Sequence, residues 1–221
     1  MEVILSFVLF VSIVFVALLF FTPAKTTRVL ESSLSFIERE IVENTTTVLV
    51  TYSVKIDQSA DDIVVVEISE DANKKVRVED YQGIKLPSSH SSGKIYFERD
   101  SEDFVLIKFS EDFPETNEVP TSSNLDPNLY DIVSSSSESI LSEKRVISLQ
   151  SSYTNNYNVL RESFNLRNID FSFSVTIPGK EAITAEIQIP ENVDIFAKSR
   201  KIQILLEDGS TAFGDLRTKV W

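Results

Sequence analysis

The chain has 221 residues, of which 34 are acidic and 21 are basic, so its formal net charge is −13. This charge argues against a general nucleic-acid binder, because contact with phosphates needs a basic surface. The chain has no Cys and a single His, His90, which excludes disulfides, thiolate zinc sites, a Cys nucleophile and multi-His metal sites.

The first predicted element is an apolar helix. Residues 3–21 carry no charge, and their only polar side chains are Ser6 and Ser12. As a helix they span about 30 Å, the thickness of a hydrocarbon core. A basic n-region and a small-residue cleavage site, which mark a signal peptide, are both missing. The pattern predicts a transmembrane anchor over residues 1–21, with anchor residues Val3, Leu5, Phe7, Leu9, Phe10, Ile13, Phe15, Leu18 and Phe21.

The orientation of such an anchor depends on the residues that flank it. Lys25 and Arg28 follow the segment, and the positive-inside rule would place the remainder of the chain in the cytoplasm. The Ser/Thr-rich β composition and the sequon at Asn44, a candidate glycosylation site unless it arises by chance, favour the opposite side. We expect a single-pass membrane protein whose C-terminal domain lies outside the cytoplasm, at the cell surface.

An amphipathic stalk helix is predicted over residues 22–43. Leu30, Leu34, Ile37 and Ile41 are spaced by four, three and four residues, which forms one apolar seam. The seam either packs on the protein's own domain or joins neighbouring copies. Together with the anchor, the stalk would form one long helix that bends at Pro23.

Two β subdomains are predicted, over residues 44–109 and 166–221. Period-two patterns with β-branched and aromatic residues mark strands at 47–56, 62–69, 75–80, 94–99 and 104–109. Further hairpins turn at Pro178-Gly179 and at residues 207–209. The short connections indicate antiparallel pairing.

A composition change separates the two subdomains. Residues 110–137 contain three prolines and the serine run 134–137, which predicts a loop or linker. A helical segment follows at 138–165, where Tyr153, Tyr157, Leu160 and Phe164 repeat with helical spacing. The predicted fold class is therefore α+β, with a long N-terminal transmembrane and amphipathic helix, an antiparallel β-rich head and a helical insertion.

This layout resembles that of archaeal type IV pilin-like membrane-anchored proteins. The resemblance is architectural over residues 1–56, where an apolar helix, Pro23 and an amphipathic continuation precede strands. Over 153–221 it rests on the patterns at 156–160, 164–166, 170–175, 207–209 and 219–221. It implies an external head and function by assembly, and it implies no catalytic residue.

Few residue groups suggest chemistry. Carboxylates cluster at strand ends, most densely at 98–103 and again with Asn128 at 126–131, and Ca²⁺ binds such oxygens. The alternative interpretation is solvated acidic turns, so the metal content is left unknown. A glycosidase pair needs two facing carboxylates, which a sequence cannot show. His90 lies in a polar serine loop, and no phosphate-binding loop is present.

The expected function is that of a pilin-like, membrane-anchored structural protein of the cell surface or envelope. The alternative is a monomeric, membrane-tethered β-domain that binds a ligand, a cation or an envelope partner. We expect no enzymatic activity, no catalytic residue and no cofactor. The expected partners are membrane lipid and proteins, including other copies contacted through the N-terminal helix. No nucleic acid is expected, and no small-molecule substrate is identified.

Overall fold

A computed structural model of the chain describes residues 2–21, 23–57, 63–71, 73–99, 103–119, 129–166 and 168–221. Before Leu30, side chains are described at Ile4 and at residues 6–16. Strands hold more of the described residues than helices do, so the fold is built around β-sheets. The three helices of the described residues are α1 (Glu2–Phe21), α2 (Pro23–Thr45) and α3 (Glu143–Ser163).

Twelve strands follow the first two helices among the described residues. They are β1 (Thr46–Ile56), β2 (Ile63–Glu67), β3 (Lys75–Asp80), β4 (Lys85–Leu86), β5 (Ser88–Ser91), β6 (Lys94–Glu98), β7 (Phe104–Ser110), β8 (Tyr130–Ser142), β9 (Phe171–Thr176), β10 (Ile183–Ala185), β11 (Phe196–Leu205) and β12 (Thr211–Val220). Nine of them form one sheet in the order β10-β9-β12-β11-β8-β1-β7-β3-β4, and the other three form a second sheet in the order β2-β6-β5.

Two hydrophobic cores lie under the two halves of the large sheet. In the N-terminal half, residues of β1, β3 and β7 pack against β2 and β6 of the small sheet, around Val54, Phe97 and Ile107. In the C-terminal half, residues of β9, β11 and β12 pack against α2 and α3, around Ile37, Tyr153 and Phe173. Each half thus buries one sheet face against a second layer, as a stable domain requires.

Three parts of the predicted fold class are wrong. The N-terminal helical region is described as two helices, α1 and α2, and not as the one long helix that was predicted. The head is not purely antiparallel, since β8 and β11 run parallel. The third part is the transmembrane helix.

In the part of the chain that the structure describes, no helix combines the length and the apolar character needed to cross a membrane. This finding overturns the predicted membrane anchor, and with it the single-pass topology and the cell-surface location.

The region between the two halves also differs from the prediction. β8 occupies Tyr130–Ser142, where the sequence predicted the end of a linker and the start of a helix. α3 begins at Glu143, because the Ser142 side chain accepts a hydrogen bond from the Arg145 N–H as an N-cap. Asn156 departs from helical geometry (φ −142°, ψ 44°) and kinks α3, which fits the weak helix propensity of Asn.

Candidate interaction surfaces

The apolar residues of α1 are exposed wherever their side chains are described. Phe7, Leu9, Phe10, Ile13 and Phe15 retain between 59 and 67% of their accessible surface. The side chains of the other anchor residues, Val3, Leu5, Leu18 and Phe21, lie outside the described residues. Since isolated exposed apolar residues are ordinary but a contiguous set is not, α1 is a candidate contact surface.

The seam residues of α2 face the interior of the same chain. Leu34, Ile37 and Ile41 are buried in the C-terminal core, and Leu30 is partly buried against it. The spacing allowed two arrangements, and the structure shows the one in which the seam packs on the protein's own domain. Asn44, the sequon residue, is exposed near the end of α2, where its Nδ2 donates to the Glu40 carbonyl oxygen over 2.8 Å. Its glycosylation stays a prediction.

The large sheet is split between β8 and β11. The two strands pair in parallel at Ile204↔Leu141 and Leu205↔Ser142, at their carboxyl ends. On its other side, β8 pairs with β1 from Tyr130 to Leu141. β11 likewise pairs with β12 over its whole length. Among the described residues, therefore, one edge of β8 before Leu141 and one edge of β11 before Ile204 have no partner strand.

The open edge of β8 is polar and acidic. Residues 131–139 are all exposed, and they include the serine run 134–137. Asp131 and Glu138 are the charged residues of the strand. The register with β1 shifts once, between Ser53 and Val54, which marks a local bulge. This edge is a long strand surface with a negative charge, in which the serine run follows the exposed apolar side chains of Ile132 and Val133.

The open edge of β11 is basic. Lys198, Arg200 and Lys201 lie on it, and the strand contains no acidic residue. Glu38 of α2 lies beneath β11, and only 8% of its side chain is exposed. The Nζ of Lys198 is 2.6 Å from Glu38 Oε2, and Arg200 Nη1 is 3.8 Å from Oε1. The alternation of strand side chains directs Lys201 to the opposite face.

The outer edges of the large sheet are short by comparison. β4 at one end has 2 residues and β10 at the other has 3. Short edge strands are one way in which proteins prevent unwanted strand pairing. Among the described strands, the long open edges thus lie in the middle of the large sheet, where β8 and β11 separate.

His90 does not lie in a polar loop as predicted. It is on β5, where Ser88 and Ser89 are buried, and the Ser89 hydroxyl exchanges hydrogen bonds with the backbone of Val119. Burial lowers the pKa of His90. The ring lines a polar cleft of about 450 Å³, which it shares with Asn73, Lys74, Lys75, Val76, Glu115, Thr116 and Asn117.

The acidic clusters do not form a metal site within the described residues, where no group of three His, Asp or Glu side chains has suitable geometry. Glu70 instead binds Lys74 Nζ at 2.7 Å and the Tyr52 hydroxyl at 2.5 Å. Burial alone would raise the pKa of Glu70, but these two hydrogen bonds lower it overall. Residues 100–102 and 126–128 of the densest predicted clusters lie outside the described part.

Comparison of the chain with protein-family models, curated proteins and solved structures found no match. The resemblance to pilin-like proteins therefore stays a prediction.

Neither open edge is among the features predicted from the sequence. The serine run of β8 was interpreted as a linker, although no Pro or Gly interrupts residues 130–142. The basic run 198–201 stands out in a chain of net charge −13 and was visible as a charge pattern. The split itself depends on pairing between residues about sixty positions apart, which no local pattern reveals.

Proposed function

We propose that the protein is a structural protein that acts by assembling with other copies of itself, and that α1 is the main contact. The observation that supports this proposal is that the described apolar side chains of α1 are exposed on every side of the helix, at Ile4 and from Phe7 to Val16. A helix that is apolar on every side is normally buried. Packing of α1 helices from several copies would bury it.

The free energies of apolar burial and of association are consistent with such an assembly. Burial of a large apolar side chain contributes about 1.5–3 kcal/mol. Six such side chains would therefore contribute roughly 9–18 kcal/mol, against an association cost of about 4–15 kcal/mol. At the middle of both ranges, burial of the described side chains of α1 outweighs the cost of association.

Sedimentation velocity of the full chain in a mild detergent tests the proposal. We expect large species whose population grows with protein concentration. The double variant Phe10→Gln, Phe15→Gln should shift the distribution towards monomer. Val159→Gln is the matched control, because Val159 is an exposed apolar residue (66%) on a different helix, α3. A full chain that remains monomeric at every concentration would contradict assembly.

A second candidate function is that of a monomeric β-domain that binds a ligand or a protein partner. The polar cleft beside His90 favours it, because ligand sites are concave and combine a few converging polar groups. The same sedimentation experiment separates the two functions, since this one requires a monomer. Loss of a bound ligand on His90→Ala, with unchanged stability, would then support the cleft as its site.

A further inference from the structure

Along the open edges of β8 and β11, backbone groups face away from the paired neighbour and meet no other described strand. In a strand, successive residues direct their N–H and C=O groups to opposite sides. β8 is paired on one side by β1 and β11 on one side by β12. Before the two strands meet at Leu141 and Ile204, the groups on their other sides have no strand partner among the described residues. Each edge is thus a template for one more strand.

Both edges keep charged side chains, which are one usual protection against strand pairing, but they lack another, proline. Neither strand contains a proline, and proline is a common means of blocking edge pairing. The side chains of residues 134–137 are all serine, so they offer little steric obstruction to an approaching backbone. The single bulge of β8 lies beside Ser134 and leaves residues 134–140 in one continuous register.

The charges of the two edges are complementary. β8 carries Asp131 and Glu138 and no basic residue, whereas β11 carries Lys198, Arg200 and Lys201 and no acidic residue. The carboxylate of Glu38 beneath β11 balances one of these positive charges, so the β11 edge keeps an excess of positive charge. Two β8 edges, or two β11 edges, would bring like charges together, which is unfavourable between facing strands. An edge of β8 against an edge of β11 brings opposite charges together.

We propose that the open edge of β8 in one copy pairs with the open edge of β11 in the next copy. This inference rests on the proposed function of assembly and names the strands that join the copies. The contact is head-to-tail, so each added copy leaves one β8 edge and one β11 edge free. Such contacts extend into a filament, or close into a ring if the rotation between copies allows it.

Cysteine cross-linking tests the pairing directly, because the natural chain has no Cys. Four single variants replace the serines at 134, 135, 136 and 137 of β8 by Cys, and Ser199→Cys marks β11. Each β8 variant is mixed in equal amounts with Ser199→Cys under mild oxidation. If the chains collide at random, the amount of mixed dimer equals the sum of the two homotypic dimers. If the two edges pair, the amount of mixed dimer should exceed this sum.

Strand pairing also predicts a period of two along the serine run. Alternate side chains point to opposite faces of a sheet. The excess should therefore be high at two alternate positions and low at the other two. It should decrease as the salt concentration rises, since salt screens exposed charges. Ser148→Cys, at an exposed serine of α3, is the control and should give the random ratio with Ser199→Cys.

The outcomes separate this inference from the proposed function. Large species in sedimentation together with random cross-linking at all four positions would overturn the edge pairing and leave assembly through α1 standing. Alternating excess cross-links that persist in the Phe10→Gln, Phe15→Gln background would support the edge pairing independently of α1. A monomeric chain with random cross-linking would overturn both.

Discussion

Arg77 of β3 donates a hydrogen bond from Nη1 to the carbonyl oxygen of Asp208, 131 positions later in the chain, over 2.5 Å. The same guanidinium donates from Nε to the buried carboxylate of Glu79 at 2.6 Å, and Glu79 also accepts from Lys108. Arg77 is therefore fixed by the N-terminal half and reaches the β11–β12 turn of the C-terminal half. Together with the small cluster of Leu49, Phe113, Ile140 and Leu205, this bond joins the halves beside the split.

The Gly209→Ala substitution tests this junction. Gly209 has a φ of +84°, and a Cβ there would lie 3.0 Å from Arg77 Cδ and 3.1 Å from Phe113 Cδ1. The left-handed backbone alone should cost about 1–3 kcal/mol for a residue with a side chain, and the contacts add to that cost. The free energy of unfolding from urea titration measures the sum.

Gly179→Ala is the matched control for the contacts. Its φ is +79°, and no heavy atom lies within 4 Å of the position that a Cβ would take there. It should show the backbone cost alone, so Gly209→Ala should destabilise more. Equal losses of stability would mean that Arg77 and Phe113 are not held against the turn.

A second test concerns the buried carboxylate of Glu143, at the start of α3. Both of its oxygens accept from Lys180 Nζ at 2.7 Å, and Oε2 also accepts from the Glu207 N–H at 2.8 Å. Lys180→Met leaves this carboxylate buried with one partner fewer and should cost about 3 kcal/mol. Glu143→Gln should cost only about 1 kcal/mol, because the side chain of Lys180 is 39% exposed and can be solvated.

The double variant completes this cycle. With both charges removed, the loss of stability in urea titration should be smaller than the sum of the two single losses. Additive losses, or a larger loss for Glu143→Gln than for Lys180→Met, would show that the pair does not act as a buried ion pair.

The sequence predicted those elements in which local pattern and tertiary packing agree. The seam residues Ile37 and Ile41 mark the buried face of α2, and the β11–β12 turn lies at the predicted residues 207–209. Apolar periodicity indicates these features because the same side chains form the core.

The remainder could not be read from local pattern. β8 is a strand because β1 lies beside it along its whole length, since serine has little strand preference of its own and tertiary context overrides it. Glu38, Glu79 and Glu143 resemble solvated charges in the sequence but are buried beside cations. Lys198 is 160 positions from Glu38, and such pairings have no local signal.

The burial of the α2 seam yields a third prediction. Ile37 has no exposed surface, so Ile37→Ala should lower the free energy of unfolding by about 2–5 kcal/mol. Ser35→Ala, at an exposed position of the same helix, should change it by less than about 0.5 kcal/mol. Sedimentation of the folded Ile37→Ala variant should match that of the natural chain. Unchanged stability with lost assembly would place the seam between copies instead.

Alkaline pH should weaken the C-terminal core through two tyrosines. Burial raises the pKa of Tyr153 well above its ordinary value of 10.0, and burial together with the hydrogen bond to Asp170 raises that of Tyr157. A raised pKa in the folded state means that the neutral phenol is favoured there. The contribution to stability is thus complete below pH 10 and is lost as the pH rises towards the folded-state pKa.

We expect the free energy of unfolding to fall steadily above pH 10, and the tyrosinate absorbance of the folded chain to lag behind that of the unfolded chain. Tyr157→Phe should make the free energy of unfolding fall less steeply with pH, by about 1.4 kcal/mol per pH unit, which is the slope that one ionising group contributes. The reason is that the unfolded state of this variant has one phenol fewer to ionise. Tyr81→Phe removes an exposed phenol (58%) and should leave the fall in place. If Tyr157→Phe and Tyr81→Phe gave the same pH dependence, the hydroxyl of Tyr157 would not be held in the core beside Asp170.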